Sequence, residues 1–166
     1  MDVFIRYKAI KDRLIGGGQF SEEFADQFSN NALDIPVFWY TGQYQKGKDN
    51  VSYVAPAIYI EMPKNLKIDY FPRKRQVAKD AIIKIHILSV APYKSVDSAV
   101  QDAAVEKHQA LINNVHDLLN GFEIKDVNNN LLATQFILGN DNPMNYMGTF
   151  AFTILNYKSE FRHRES

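Results

Sequence analysis

The sequence predicts an α+β fold: a mainly antiparallel sheet of about five strands, with an N-terminal helix and one long helix packed on one face. Three observations carry this. Two apolar runs, 54–63 and 80–88, alternate with a period of two, so that Ile58, Ile60 and Met62 share one face of the first and Ile83, Ile85 and Ile87 one face of the second. From Asp97 to Leu119 the apolar period lengthens to that of a helix, with Val100, Ala104, Val105, His108, Leu111, Ile112, Val115, Leu118 and Leu119 on one broad face. Near the end, Phe150, Phe152 and Ile154 alternate with Thr149, Ala151 and Thr153, the pattern of a strand with one buried and one more polar face.

In chain order, Asp2 is placed to cap a helix over 2–15 that sets Val3, Tyr7, Ile10 and Leu14 three and four apart and stops at Gly16-Gly17-Gly18. That triple glycine lacks the lysine and threonine of a phosphate-cradling loop, so it reads as a stop and hinge. Phe20, Phe24 and Phe28 fall four apart, predicting a short helix or turn that presses aromatics onto the sheet. Residues 33–40 read as the first strand, with Pro36 near its start or at an edge. The polar segment 41–52 is expected to be a long hairpin loop into the strand at 54–63.

Between the two central runs, 62–80 reads as a basic loop. It holds six lysines and arginines against two aspartates, a net +4, around Tyr70-Phe71-Pro72. The region 95–127 is its opposite, with six acidic side chains against two lysines, a net −4. Gly121 ends the long helix. Two strands follow, 131–138 and 147–157, joined by a loop at 139–143 whose Asp141-Asn142 is turn chemistry, since the glycine and distal glutamate of a calcium loop are missing. The charged tail 158–166 is expected to be mobile.

The 166 residues, 46% apolar, suit one domain over 1–166. Nineteen basic side chains balance nineteen acidic ones, so no global field draws the chain to nucleic acid or to an anionic membrane. The absence of cysteine removes disulfides and thiol chemistry together. No apolar run is long enough for a membrane span and no signal peptide is apparent, so a soluble protein made in a cytoplasm, with no membrane partner, is expected.

Catalytic and metal patterns are missing. His108 and His116 stand eight residues apart on one helix. That separates their backbones by about 12 Å, too far to share a metal unaided. His86 belongs to the face of Lys84, opposite the isoleucines, and is expected to be semi-exposed or interfacial. No His-Glu-x-x-His and no Gly-x-Ser-x-Gly occurs. Glu61 with Asp69 or Asp80 could be nominated as a glycosidase pair, but they read as solvated charges at strand ends. The expectation is no enzyme, no cofactor and no metal.

The basic segment could instead meet nucleic acid, because Arg73, Lys74 and Arg75 lie beside Tyr70 and Phe71 and could hold phosphates while the rings stack on bases. It suits an acidic protein surface equally well. The acidic region of a second copy, with Asp97, Asp102, Glu106 and Asp117, is one such surface, and pairing the two would be head-to-tail.

Several segments together resemble the tail-terminator or tail-completion (head-tail joining) proteins of tailed bacteriophages. They are the N-terminal helix ending near Leu14, Trp39-Tyr40-Thr41-Gly42-Gln43, Pro56-Ala57-Ile58-Tyr59-Ile60-Glu61, the Ile83–Ile87 strand, Leu119-Asn120-Gly121, and the Asp141–Phe152 loop and strand. The resemblance implies a structural virion protein of the tail or neck, assembled in the bacterial host cytoplasm. It would form a homo-oligomeric ring, a hexamer with a dodecamer as the alternative, that ends tail-tube growth and meets tail-tube and head-tail connector proteins, with passing contact to genomic DNA in the channel. Expected contact residues are Gln43, Tyr44, Lys46, Lys48, Glu61, Lys67, Tyr70, Phe71, Arg73, Lys74, Arg75, Lys84 and His86.

Overall fold

In the computed structural model the described residues form two helices and eight strands, the strands making one mixed, curled sheet with the helices against it. The structure describes residues 2–16, 24, 33–44, 54–72, 75–90, 96–147 and 150–163, and at 75 and 141–147 the backbone only. The elements are α1 (Val3–Ile15), β1 (Val37–Trp39), β2 (Ala57–Glu61), β3 (Ile68–Phe71), β4 (Arg75–Val90), α2 (Ser98–Leu119), β5 (Ile124–Lys125), β6 (Leu131–Ala133), β7 (Ile137–Met147) and β8 (Phe150–Arg162). The main path through the sheet is β1-β2-β4-β8-β6-β5, with β3 added to β4 and β7 to β8.

Both helices begin and end where local chemistry dictates. The Asp2 carboxylate accepts from the Phe4 amide at 2.8 Å, and Gly16 closes α1 in the left-handed region (φ 63), its N–H donating to the Asp12 carbonyl. Asp97 caps α2 by accepting from the Ala99 amide, and Gly121 follows it at φ 76. Tyr7, Ile10 and Leu14 of α1 and Val115, Leu118 and Leu119 of α2 pack on Ile58, Ile60, Ile83, Ile85 and Ile87 in one cluster. The five isoleucines are wholly buried. Each such side chain contributes about 2 kcal/mol relative to exposure.

β2 and β4 are the antiparallel neighbours expected, with Ile58 opposite Ile87 and Ile60 opposite Ile85. The sheet is mainly antiparallel as expected, and against about five strands expected eight are described, β3 and β5 being additional and 131–138 divided between two. The segment 62–80 is a hairpin, with β3 paired to the first part of a 16-residue β4 from Ile68↔Ala78 to Phe71↔Arg75. Backbone pairing on β8 runs straight through the predicted loop 139–143, which lies inside β7, and the ladder absorbs its turn-forming residues by shifting register between Leu138 and Asn140 and again between Asn142 and Asn145. The predicted strand 131–138 is broken at 134–136 into β6 and the start of β7.

Two further expectations fail on topology. The strand at 33–40 shortens to β1, which pairs with β2 in parallel, Val37 opposite Ile58, so the segment between them is a crossover and not a hairpin. In β8 the Ala151 and Thr153 face, read as the polar one, is the helix side: Ala151 is 0% and Thr153 3% exposed. Small side chains there sit beside α2, and His108 of the helix, 1% exposed, takes Ser89 at Nδ1 (2.6 Å) and Thr153 at Nε2 (2.9 Å). Phe24 forms an isolated bridge to Asp126 and is buried, while Phe20 and Phe28 lie outside the described residues.

Most of the supposedly mobile tail is strand: β8 runs to Arg162, and Phe161 is wholly buried. Its anchor is Arg6, a side chain only 2% exposed. The guanidinium donates to the Leu132 carbonyl from Nε (3.1 Å) and Nη2 (3.0 Å), to the Asp2 carbonyl (2.6 Å) and to the Arg162 carbonyl, and stacks 4.8 Å from the Phe161 ring. Burial lowers its pKa to about 10, leaving it charged at neutral pH. Replacing Arg6 with alanine strands these carbonyls, and should cost about 2–4 kcal/mol in urea unfolding, since charge-assisted bonds and buried unpaired acceptors each weigh at that scale. A loss below about 1 kcal/mol would remove Arg6 as the anchor.

Candidate assembly surface

The sheet face turned away from the helices carries Ala57, Tyr59 and Glu61 of β2, Lys84, His86 and Leu88 of β4, and Phe150, Phe152 and Ile154 of β8, which the registers set side by side. Part of this face is covered by the chain itself. After β1, the Tyr40 amide donates to the Ile60 carbonyl at 2.9 Å, and the backbone turns through 41–44 to lay two tyrosines back over the sheet. Gln43 holds that turn: its Oε1 accepts from the Thr41 amide (2.7 Å) and its Nε2 donates to the Trp39 carbonyl (2.6 Å). Tyr44, Ala57, Tyr59, Leu88 and Phe150 then form a second, smaller apolar cluster.

Within this cover His86 is 2% exposed, and so is neither semi-exposed nor at the surface. The Tyr40 ring stacks on the imidazole at 4.0 Å and 16°. Its Nδ1 meets the Tyr44 hydroxyl, and its Nε2 lies 2.8 Å from Glu61 Oε2. The Lys84 amine stands 3.7 Å from the other Glu61 oxygen, across the ladder. Burial lowers the His86 pKa, against the opposing pull of Glu61, so the ring is neutral at pH 7. A carboxylate only accepts, so Nε2 carries the proton and donates to Glu61, and Nδ1 accepts from Tyr44 O–H. Burial raises the pKa of Tyr40 and of Tyr44, and the Glu61 charge adds to both.

The network therefore has one direction, Tyr44 to His86 to Glu61, and ends at an open cleft of about 610 Å³ that Trp39, Lys64, Lys84 and Asn156 help to line. Both ring nitrogens are occupied and the Tyr44 side chain is 6% exposed, so what the geometry does is hold the 40–44 turn on the sheet. Glu61 and Lys84 are the members that reach the surface, at 20% and 45% side-chain exposure.

Of the residues nominated from sequence, the fold brings together Tyr44, Glu61, Lys84 and His86, and ties the half-buried Gln43 side chain back to its own turn. Lys67, Tyr70 and Phe71 sit apart on the β3–β4 hairpin and are exposed, Tyr70 at 74% and Phe71 at 43%. Asp69, at 41% side-chain exposure, remains a solvated charge with Lys79 at 3.5 Å, whereas Glu61 is tied to His86 and Lys84. Lys46, Lys48, Arg73 and Lys74 lie outside the described residues, and Arg75 is described by backbone as the start of β4. Asp97 is the α2 cap, while Asp102, Glu106 and Asp117 are exposed along that helix. Sequence reasoning missed Tyr40 and Arg6. Among the described residues no three histidine or acidic side chains are placed to hold a metal ion. Comparison with protein-family models and with curated proteins returns no match for this chain.

Because the folded state holds His86 neutral and the unfolded state does not, acid works against folding. Stability is full above the ordinary imidazole value of 6.5 and is lost as pH falls below it toward the depressed folded value. His108, lowered by burial in the same way, adds a loss of the same sign. Urea unfolding between about pH 7 and about pH 5 should show a smaller loss for His86→Gln than for the native chain, by at most about 1.4 kcal/mol per pH unit. Equal slopes would mean that His86 titrates alike folded and unfolded. Tyr44→Phe, which leaves Nδ1 without its donor, should cost about 1 kcal/mol at neutral pH.

Proposed function

We propose that this chain is a structural virion protein of a tailed bacteriophage, a homo-oligomeric ring subunit at the tail or head-tail junction that ends tail-tube growth and joins tail to head. Six copies is the expected number and twelve the alternative. The observation that carries the reading is the β3–β4 hairpin, which continues the sheet beyond β2 and leaves two adjacent aromatic side chains, Tyr70 and Phe71, in solvent. Neighbouring exposed aromatics on a hairpin are what a protein contact buries.

Two further features support it. The segments that resemble tail-terminator proteins form the frame of one sheet: the 39–43 strand end and turn, the Pro56–Glu61 strand and the Ile83–Ile87 strand lie side by side around the Glu61–His86 pair. The polar network there is spent on holding the turn, which suits a rigid scaffold presenting surfaces to neighbours. Ring partners would be further copies, the tail-tube protein and the connector.

Native mass spectrometry and negative-stain imaging of the purified protein, alone and with the tail-tube protein of the same virus, test the reading. A closed ring in either sample is expected. Monomers in both would overturn it.

A further inference from the structure

We infer that the contact between copies is heterologous, with the β3–β4 hairpin of one copy docked on the outward face of α2 in the next. The inference rests on the ring reading for its closure, and on the following geometry for the surfaces. Helix α2 buries Ala104, His108, Val115 and Leu118 against the sheet. On the opposite side Asp102, Glu106, Gln109, Asn113 and Asp117 recur at intervals of three and four, and all are exposed. A shallow groove of about 450 Å³ runs along this side, with Val105 and Ala110 set between Asp102, Glu106, Gln109 and Asn113. From Asp97 to Leu119 the helix and its cap hold four acidic side chains against Lys107, a net −3.

The hairpin has the complementary character. It presents Tyr70 and Phe71 to solvent, and the segment 64–80 carries a net +4, with six basic side chains against two aspartates. Lys79 lies 3.5 Å from Asp69 and 5.4 Å from the Phe71 ring, which puts cation and aromatic on one side of the ribbon. Among the described residues β3 pairs with β4, and no ion pair joins Lys64, Lys67 or Lys79 to Asp102, Glu106 or Asp117. Two different, mutually complementary patches on one molecule make a head-to-tail contact, which closes into a ring when the rotation between copies allows. Tyr70 and Phe71 point to opposite faces of the ribbon, so the face with Phe71 and Lys79 supplies the aromatic anchor in the apolar strip, with rim charges giving orientation at the edge.

A charge swap tests this in solution. One variant reverses the helix (D102K, E106K, D117K) and the other reverses the hairpin (K67E, R73E, K74E, R75E). Analytical ultracentrifugation of the native chain at about 50 mM salt should show self-association that weakens about tenfold or more at about 500 mM, because rim charges are screened over that range. Each variant alone should be monomeric, and F71A should weaken association by about tenfold or more through loss of its aromatic anchor. An equimolar mixture of the two charge variants should associate again, since every hairpin then finds a helix of opposite sign. Recovery on mixing also shows that both variants are folded.

A native chain that stays monomeric at low salt, or variants that each associate as the native chain does, would sink the proposed contact. If rings still form from either variant alone, the contact is wrong and the ring reading survives. If no ring forms with or without the tube protein, the ring reading falls, whatever the charge swap shows. A hairpin reversal that abolishes binding to double-stranded DNA while self-association is unchanged would reassign the hairpin to nucleic acid and overturn the inference.

Discussion

One strand has to serve two surfaces with a single alternation of side chains. β4 pairs with β3 and then β2 along one edge and with β8 along the other, so every layer of the protein is built on it. Its odd-numbered residues Ile83, Ile85 and Ile87 face the helices, and its even-numbered residues His86 and Leu88 face the 40–44 turn, yet all five are buried. A strand covered on both faces cannot shift by one residue without driving its polar side chains into the isoleucine layer. His86 makes the penalty sharp, because only on its own face are Tyr44 and Glu61 within reach.

The two buried imidazoles act as directional stitches on opposite faces of the sheet. His86 ties the 40–44 turn to β2 and β4 on one side, and His108 ties α2 to β4 and β8 on the other. Apolar packing alone is tolerant of small slips, whereas a ring bonded at both nitrogens accepts one arrangement. Each is neutral at pH 7 through desolvation, so neither brings an uncompensated charge into its apolar surroundings.

Much of this frame was legible because periodicity reports burial directly. Both helices, the cap at Asp2, and the facing isoleucine rows of β2 and β4 follow from spacing alone. One departure arises where long-range pairing overrides turn-forming residues. Gly139-Asn140-Asp141-Asn142-Pro143 lies in β7 because β8 offers it a ladder, at the cost of two register shifts. The parallel pairing of β1 with β2 left no local trace, since nothing in 41–52 distinguishes a crossover from a hairpin. The site was half legible. Alternation put Glu61, Lys84 and His86 on one face, but the burial of His86 depends on Tyr40 and Tyr44, more than forty positions away in sequence. Arg6 was invisible for the same reason, its acceptors lying on β6 and β8.

Between Ala78 and Ala81 the ladder of β4 on β8 contains a bulge, in which Lys79 and Asp80 stand against Glu160 and Asp80 takes a left-handed conformation (φ 54). The extra residue inverts the alternation, so that Ala78 and Ala81 both point into the core and both are buried. The bulge is thus a phase joint between two lengths of one strand. Inboard of it, the phase of side chains is fixed by the helices; outboard, it is set by the hairpin's own pairing. Chain length and sequence at the hairpin end can therefore change among descendants of this fold without any correction being passed to the isoleucine rows, which leaves the exposed ribbon free to diverge while the core stays fixed.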